Sequence, residues 1–410
     1  MKLAVIGAGS TYTPELVSGL AALDIEELAL HDIAGERREI VGALARRMLD
    51  RTGFAGRLEI TGELERALDG ADFVLIQIRV GGQEARLRDE TLPLPCGCIG
   101  QETTGAGGLA KALRTVPVVL EIAEQVTHHA APGAWIVDFT NPVGIVTRAL
   151  LDAGHRAVGL CNVAITFQRH IARLLAVAPE RIEVDQVGLN HLTWIRAVRR
   201  DGEDVLGELL ATHGDALAGE IGLPRRLLEE LGAVPSYYLR YFYEHDRVLA
   251  EQREGVPRAA EVAEIEHRLL EMYRDPALNE KPALLEQRGG AFYSEAATGI
   301  VASLAGRGDA VHVVDMRNDG TLAGLADDDV VEVPARVGPA GPVALPQRPL
   351  APELLGLVQH VAAYERLALR AAHSGGPVDV RKALLAHPLI GQDEMAGELV
   401  ERLLQGEPVR

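Results

Sequence analysis

Residues 1–32 read MKLAVIGAGSTYTPELVSGLAALDIEELALHD. The β-branched run Lys2–Ile6 leads directly into the turn Gly7-Ala8-Gly9-Ser10, and Pro14 suits the first turn of the helix expected next. A strand, a glycine turn and a helix in this order are typical of a dinucleotide-binding fold. Glycine lets the backbone approach a pyrophosphate closely, and the helix N-terminus supplies unpaired N–H groups. The stretch therefore predicts a Rossmann-type domain with a nucleotide site at this turn.

Two further positions bear on this nucleotide site. Tyr12 replaces the third glycine of the usual G-x-G-x-x-G motif, so a tight turn that binds no ligand is the alternative interpretation. Asp32, 25 residues after Gly7, supplies the acidic group expected at the adenine ribose hydroxyls and favours NAD over NADP. The candidate cofactor-binding residues are Gly7, Gly9, Ser10, Thr11 and Asp32.

Short apolar runs continue at intervals through the first third of the chain. They alternate with longer stretches of helical pattern, and apolar strands separated by helices predict a parallel sheet that is covered on both faces. We therefore expect an α/β fold in which residues 1–165 form a Rossmann-type, NAD-binding domain like that of lactate and malate dehydrogenases. The predicted strands after the first span residues 27–31, 58–61, 72–78, 134–139 and 157–160.

The pattern changes in residues 166–410. A strand-rich block at 182–199 is followed by an amphipathic helix over 262–272, where apolar residues recur at helical spacing. Residues 330–333 predict another strand, and residues 334–352 predict a surface loop rich in proline and glycine. We expect this half to form a C-terminal α+β domain that binds substrate and metal and mediates oligomerisation.

The composition restricts the class of partner. The chain has 410 residues and a formal charge of −18, which argues against binding to nucleic acid or to anionic membranes, because both require basic surfaces. No apolar run reaches the ~20 residues that a membrane helix needs, and the N-terminus lacks a secretory pattern. The cysteines, Cys96, Cys98 and Cys161, are odd in number, which favours reduced thiols over disulfides. We expect a cytoplasmic protein.

Several polar groups leave a structural and a functional interpretation open. The glycine-rich run 100–108 lacks the Lys-Ser/Thr ending of a phosphate-loop ATPase and could be a flexible turn before a helix. Asn141, after a predicted strand, is placed either to bind a ligand or to cap a helix. Cys161 and His191 match no zinc-finger spacing, and Arg258 is either a surface residue or an anion ligand at a helix N-terminus.

Eight segments, in order along the chain, resemble glycoside hydrolase family 4, the NAD- and divalent-metal-dependent glycosidases. They are IGAGSTYTPEL, IRVGGQEAR, GCIGQETTGAGG, DFTNPVGI, GLCNV, VGLNHLTW, PSYYLRY and VPRAAEV, between residue 6 and about residue 263. A nucleotide-binding turn alone would be unspecific, because many dehydrogenases share it. The ordered set resembles this family, and most closely its 6-phospho-β-glucosidases.

The resemblance implies a role for each residue that matches a family position. Cys161 and His191 would hold the metal, usually Mn²⁺. Tyr238 would be the catalytic base, and Glu102 would raise its basicity. The implied substrate-binding residues are Arg86, Asn141, Asn162 and Arg258.

The resemblance also implies the reaction. The sugar would be oxidised at C3 by NAD⁺ and deprotonated at C2 by Tyr238 beside the metal, and it would then lose its C1 aglycone. Water would add at C1, and NADH would return the hydride to C3. Asn162 stands where related α-specific enzymes carry Asp, which favours the β activity, and Arg86 and Arg258 would pair with a 6-phosphate. One departure is Ala164, where the family usually has proline, and it bears on the turn rather than on a chemical group.

Three alternatives remain open. Within the family, an α-galactosidase or α-glucosidase that acts on unphosphorylated sugar is the nearer alternative, and Arg86 and Arg258 are the residues at issue. A lactate- or malate-type NAD-dependent dehydrogenase shares the nucleotide-binding domain, and a non-enzymatic nucleotide sensor would need that domain without a metal. The expected partner is a phosphorylated glycoside, and the family resemblance implies a homodimer or homotetramer.

Overall fold

The parallel strands predicted from the sequence form one half of a large sheet in a computed structural model, which describes residues 1–20, 23–289, 292–308 and 310–405. They are β1 (Lys2–Ile6), β2 (Glu27–His31), β3 (Arg57–Thr61), β4 (Phe73–Ile76), β5 (Trp135–Asp138) and β6 (Ala157–Gly159). They lie side by side in the order β6-β5-β4-β1-β2-β3, which is the order of dinucleotide-binding sheets. β4 and β5 are buried at every position, as expected for strands covered on both faces. The predicted Rossmann-type fold is confirmed.

The same sheet continues beyond β6 with antiparallel strands. They are β7 (Ile182–Leu189), β8 (Leu192–Arg200), β9 (Glu203–Asp204), β10 (Val234–Pro235), β11 (Ala310–Arg317), β12 (Val330–Gly338) and β13 (Gly341–Ala344). β11 joins β6 through the pair Asp315 and Gly159, and β12 joins β7 through the pair Glu332 and Gly188. The parallel and antiparallel halves are therefore parts of one continuous frame.

Helices connect the strands and bury their apolar faces in the core. They are α1 (Thr13–Leu20), α2 (Gly35–Thr52), α3 (Leu64–Leu68), α4 (Gly82–Thr91), α5 (Gly105–His129), α6 (Val143–Asp152), α7 (Val163–Leu174), α8 (Leu206–Ile221), α9 (Arg225–Leu231), α10 (Arg240–Tyr243), α11 (His245–Glu254), α12 (Arg258–Tyr273), α13 (Leu285–Arg288), α14 (Tyr293–Leu304), α15 (Pro352–Ser374), α16 (Pro377–Leu385) and α17 (Asp393–Leu404). Single 3₁₀ turns lie at Leu94–Cys96, Pro179–Arg181 and Tyr237–Leu239. α12 is the predicted amphipathic helix, with Val262 and Leu269 buried, although Met272 is 39% exposed.

The loop predicted over residues 334–352 is wrong in its first part. β12 continues to Gly338, and a turn leads into β13, which pairs with it. Ala335 and Val337 are buried on either side of the exposed Arg336, so the alternation of period two prevails over the local proline and glycine content.

The sheet spans the two predicted domains. Residue 165 lies within α7, and the division into residues 1–165 and 166–410 stays a prediction. Within the described ranges, no helix combines the length and the apolar composition that crossing a bilayer requires.

Candidate active site

A cavity of about 890 Å³ lies at the carboxyl edge of the parallel strands. Its lining includes Gly7 after β1, Asp32 after β2, Gln77 after β4 and Cys161 beyond β6. Ligands of open α/β sheets bind at this edge, because the loops that follow the strands converge there. We call this space the site cavity.

The glycine turn after β1 forms one end of the site cavity. Gly7 has a φ of +91°, and a Cβ there would lie 2.8 Å from the Gln77 carbonyl oxygen, so the turn requires glycine. The Gly9 N–H donates to Asp32 Oδ2 at 2.7 Å, and the Ala34 N–H donates to Asp32 Oδ1 at 2.8 Å. These bonds fix the Asp32 carboxylate at the tip of β2, where an adenine ribose would lie in a bound dinucleotide.

Four of the five predicted cofactor-binding residues, Gly7, Gly9, Ser10 and Asp32, line the site cavity. Thr11 is fully buried beneath the turn, where its carbonyl oxygen accepts a hydrogen bond from the Tyr273 hydroxyl at 2.7 Å. A side-chain contact between Thr11 and a cofactor stays a prediction.

Cys161 and His191, which come from different halves of the sheet, line the same cavity. Cys161 follows β6, and His191 lies in the tight turn between β7 and β8 with a φ of +63°. Burial raises the pKa of the Cys161 thiol well above its usual range, and the Glu332 carboxylate adds to this effect. Burial lowers the pKa of His191 to about 3, so the imidazole is neutral.

The donor chemistry of this pair suits a divalent metal, which is the role that the sequence predicts for it. A thiolate and a neutral imidazole are ligands that transition metals accept. Among the described residues, no group of three or more His, Cys, Asp or Glu side chains could hold an ion. A metal held by these two side chains alone would keep coordination positions for water and for substrate oxygens, as in catalytic metal sites.

Tyr238 packs directly on the predicted metal ligand His191. Their rings are stacked with centroids 3.7 Å apart and planes 10° from parallel. Burial raises the pKa of the Tyr238 phenol well above its ordinary value, and the neighbouring Tyr237 contributes next. The phenol therefore needs a nearby cation to ionise at neutral pH.

Glu102 lies behind the lining of the site cavity, among three cationic groups. The Arg79 guanidinium forms an ion pair with it, Arg86 Nε lies 3.0 Å away, and Lys111 Nζ lies 2.5 Å away. Burial alone would raise the pKa of Glu102, but Arg79, Lys111 and Arg86 hold that pKa well below its usual value. Burial lowers the pKa of Lys111 to about 8. These three cations line the cavity. The charge of Glu102 also contributes, after burial and the nearer groups, to the raised pKa of the Tyr238 phenol.

The four predicted substrate-binding residues, Arg86, Asn141, Asn162 and Arg258, also line the site cavity. Arg86 Nε donates to Glu90 at 2.8 Å, and Arg258 at the start of α12 donates to Glu261 at 2.8 Å. Asn141 Oδ1 is buried without a hydrogen-bond partner among the described atoms, so the site presents an unused acceptor. Asn162 directly precedes α7.

The sequence did not point to four arginines in this lining, Arg37, Arg79, Arg240 and Arg288. Arg37 Nε donates to the Gly9 carbonyl oxygen at 3.1 Å, and its Nη2 pairs with Glu266 at 3.1 Å. Glu266 also accepts from Arg288 at 2.8 Å. Arg37, Glu266 and Arg288 lie on α2, α12 and α13, and no sequence spacing indicates that they meet beside the glycine turn.

Comparisons with known proteins match both halves of the chain. Residues 2–177 match the model of the family 4 glycosyl hydrolases, and residues 186–390 match that of the family 4 glycosyl hydrolase C-terminal domain. A probable 6-phospho-beta-glucosidase of Bacillus subtilis (strain 168) is 39% identical over 429 residues, covering 99% of this chain and 96% of the relative.

Two solved structures are similar to this chain in fold. The 6-phospho-beta glucosidase from Thermotoga maritima, solved with manganese, NAD⁺ and glucose-6-phosphate, is 35% identical with a TM-score of 0.91, covering 99% of this chain and 98% of that one. Malate dehydrogenase from Salinibacter ruber is 17% identical with a TM-score of 0.55, covering 92% of this chain and 100% of that one, and shares the fold alone. From the two family models and these full-length likenesses it follows that the chain belongs to glycoside hydrolase family 4.

Proposed function

We propose that this protein hydrolyses 6-phospho-β-glucosides and uses NAD⁺ and a divalent metal, Mn²⁺, as cofactors. The observation that carries the proposal is one cavity that joins the glycine turn at Gly7 to Cys161, His191 and Tyr238. A dinucleotide at the turn would bring its nicotinamide to the same sugar that the thiol, imidazole and phenol face. The names and ligands of the full-length relatives support this assignment.

The protein groups would act by binding, orienting and moving a proton. The glycine turn and Asp32 would orient the dinucleotide, and Cys161 and His191 would hold the metal. Bound NAD⁺ supplies reversible hydride transfer at C3 of the sugar, and the metal supplies Lewis acidity at the sugar oxygens. Tyr238 would take the proton from C2, with Glu102 adjusting the local field through its cationic partners.

At the substrate end of the site, arginine side chains supply positive charge. Arg86 and Arg258 line the cavity, and guanidinium groups bind phosphate with paired hydrogen bonds. Asn141 Oδ1 offers an acceptor to a sugar hydroxyl. Asn162 cannot donate an acidic proton, so departure of the aglycone would rely on water or on the acidity of the leaving group itself.

The test is the release of nitrophenol from p-nitrophenyl-β-glucoside 6-phosphate by the full chain under reducing conditions. We expect turnover only when NAD⁺ and Mn²⁺ are both present, without net NADH, because the hydride returns to the sugar. Faster turnover of the unphosphorylated or the α-linked glycoside would favour the α-glycosidase alternative. NADH accumulating in step with product would favour the dehydrogenase, and Mn²⁺-independent nucleotide binding without turnover would favour the sensor.

We further propose that the protein acts in the cytoplasm as a homodimer or homotetramer. The family resemblance supports the oligomer, and the absence of disulfides among Cys96, Cys98 and Cys161 is compatible with a reducing compartment. Residues 1–165 would bind NAD and residues 166–410 would bind substrate and metal. Light scattering of the purified chain gives the oligomer size, and cell fractionation gives the compartment.

A further inference from the structure

The predicted metal ligand His191 is held at three sides. Its Nδ1 lies 2.8 Å from Thr103 Oγ1, its face stacks on Tyr238, and its backbone lies in the tight turn between β7 and β8. The residue is only 6% exposed. The remaining ring nitrogen, Nε2, is the one left for a ligand in the site cavity, which His191 lines.

The direction of the bond between Thr103 and His191 follows from a third residue. The Thr103 backbone N–H donates to Gln101 Oε1 at 2.5 Å, so the amide oxygen of Gln101, and not its nitrogen, faces Thr103. Thr103 Oγ1 lies 2.8 Å from the same oxygen. A carbonyl oxygen only accepts, so the single hydroxyl hydrogen of Thr103 points to Gln101. Nδ1 of His191 must then donate to the hydroxyl, and its hydrogen is on Nδ1.

The segment that carries Thr103 is fixed at both ends. Gly100 exchanges two hydrogen bonds with the Gln252 side chain, at 3.0 Å and 2.9 Å. The Gly105 N–H donates to His387 Nε2 at 3.1 Å, inside the core. We therefore expect these bonds to hold the Thr103 hydroxyl in place, as a positioning group for a metal ligand requires.

We propose that Thr103, aligned by Gln101, is a positioning residue that holds His191 in its Nδ1–H tautomer and presents Nε2 to the divalent metal. The inference rests on the proposed metal role of Cys161 and His191. Loss of such a second partner lowers metal affinity by about 10- to 100-fold, because the ring can then rotate and take the wrong tautomer.

The test compares Thr103→Val, which removes the hydroxyl at nearly constant shape, with Thr103→Ser, which keeps it. Thr127→Val is the matched control, because Thr127 Oγ1 contacts His155 Nδ1 at 3.4 Å on the surface, in α5. Mn²⁺ affinity is read from the electron paramagnetic resonance signal of the free ion during titration of the full chain. We expect the Kd to rise about 10- to 100-fold in Thr103→Val and to stay at the wild-type value in Thr103→Ser and Thr127→Val.

A second readout needs no metal. The ¹⁵N shifts of labelled histidine, with the His191 signal assigned by its loss in His191→Ala, report which ring nitrogen carries the hydrogen. We expect Nδ1–H in the wild type and in Thr103→Ser, and a mixture in Thr103→Val. Gln101→Leu, which frees the Thr103 hydroxyl to donate to Nδ1, should also give a mixture.

The possible results distinguish a failure of the positioning role of Thr103 from a failure of the proposed metal site on which that role rests. Wild-type Mn²⁺ affinity and tautomer in Thr103→Val, with affinity lost in His191→Ala, would overturn the positioning role and leave the metal site intact. Unchanged affinity in His191→Ala would overturn both. A His191 ring that carries its hydrogen on Nε2 in the metal-free wild type would overturn the inference directly.

Discussion

Tyr238 and His191 are in direct contact through their stacked rings. The ring centroids lie 3.7 Å apart, and both residues line the cavity. Burial raises the pKa of the Tyr238 phenol, so this residue carries its proton at neutral pH until a cation lies nearby. In the proposed reaction, proton removal from the sugar would therefore be coupled to metal binding through these neighbouring side chains.

Replacing Tyr238 by Phe removes the proposed proton acceptor while keeping the ring that packs on His191. We expect kcat to fall at least about 100-fold, because general-base catalysis contributes that much or more, while the Kd values for NAD⁺ and Mn²⁺ stay near wild type. Steady-state kinetics and ligand titrations measure the two effects. Tyr243→Phe, in the same segment but outside the cavity lining, is the control, and unchanged kcat in Tyr238→Phe would remove this tyrosine from the role of base.

The pH dependence of Mn²⁺ binding tests the two proposed ligands. Burial raises the pKa of the Cys161 thiol, which must lose a proton to bind the metal. Burial lowers the pKa of His191 to about 3, so the imidazole has none to lose above that pH. The association constant should rise about tenfold per pH unit between about pH 5 and pH 8, since one proton is released. A steeper rise below about pH 6.5, tending to a hundredfold per unit, would show that His191 titrates as well.

Among the elements, the hairpin of β7 and β8 sets the place of His191. Gly188 pairs with Thr193 in this hairpin and has a φ of +148°. A Cβ at Gly188 would lie 2.1 Å from the Leu192 carbonyl oxygen, so no side chain fits without opening the turn. The shape of the hairpin, rather than the histidine alone, brings the imidazole into the cavity.

Gly188→Ala should therefore widen the hairpin and displace His191. We expect a loss of Mn²⁺ affinity together with a lower melting temperature, because the backbone of β7 and β8 must shift. Gly207→Ala is the matched control: a Cβ at Gly207, in α8, meets no atom within 4 Å, and the change should be neutral or stabilise by up to about 1 kcal/mol. Wild-type metal affinity in Gly188→Ala would contradict the role given to the hairpin.

The elements that the sequence predicts well are those with one dominant signal. The strands around β1 and β4 are continuous apolar runs between turns, and their places agree with the structure to within two residues. The β12 and β13 hairpin escaped prediction because Pro334 and Gly341 outweigh a short alternation of buried residues. Residues that follow strand ends, such as Asp32, were predictable because the sheet edge brings them together. The meeting of Arg37 with Glu266, 229 positions apart, follows only from packing between α2 and α12.

At the scale of the whole molecule, one sheet carries both halves of the site. The strands β11 and β12 lie between β6 and β7 in this sheet, and the segments that follow β6 and β7 bring Cys161 and His191 to the lining of one cavity. The core behind this region contains carboxyl groups whose burial raises their pKa, including that of Glu332 to about 7 and that of Glu365 to about 8. The folded state is therefore more stable when these carboxyl groups are protonated than when they are ionised.

Glu365 makes the unfolding free energy depend on pH. Its pKa is raised from the unfolded value of about 4.3 to about 8, so its favourable contribution is complete below about pH 4.3 and is lost as the pH rises to about 8. Relative to wild type, Glu365→Gln should gain roughly 2–4 kcal/mol of unfolding free energy between about pH 5 and pH 8. Urea unfolding at the two pH values measures it. Glu353→Gln, exposed on the same helix α15, should show no such gain, and an equal gain in both variants would contradict the assignment.

The most direct test of the proposed chemistry is hydrolysis of a 6-phospho-β-glucoside in D₂O with NAD⁺ and Mn²⁺, followed by proton NMR of the glucose 6-phosphate formed. Removal of the C2 proton by Tyr238 and its replacement from solvent place deuterium at C2 of the product in each turnover. A reaction that omits NAD⁺ should form no product. Product that forms at full rate with only protium at C2 would mean that the glycosidic bond is cleaved by direct displacement at C1, and it would contradict the proposed roles of the cofactor, the metal pair and the phenol together.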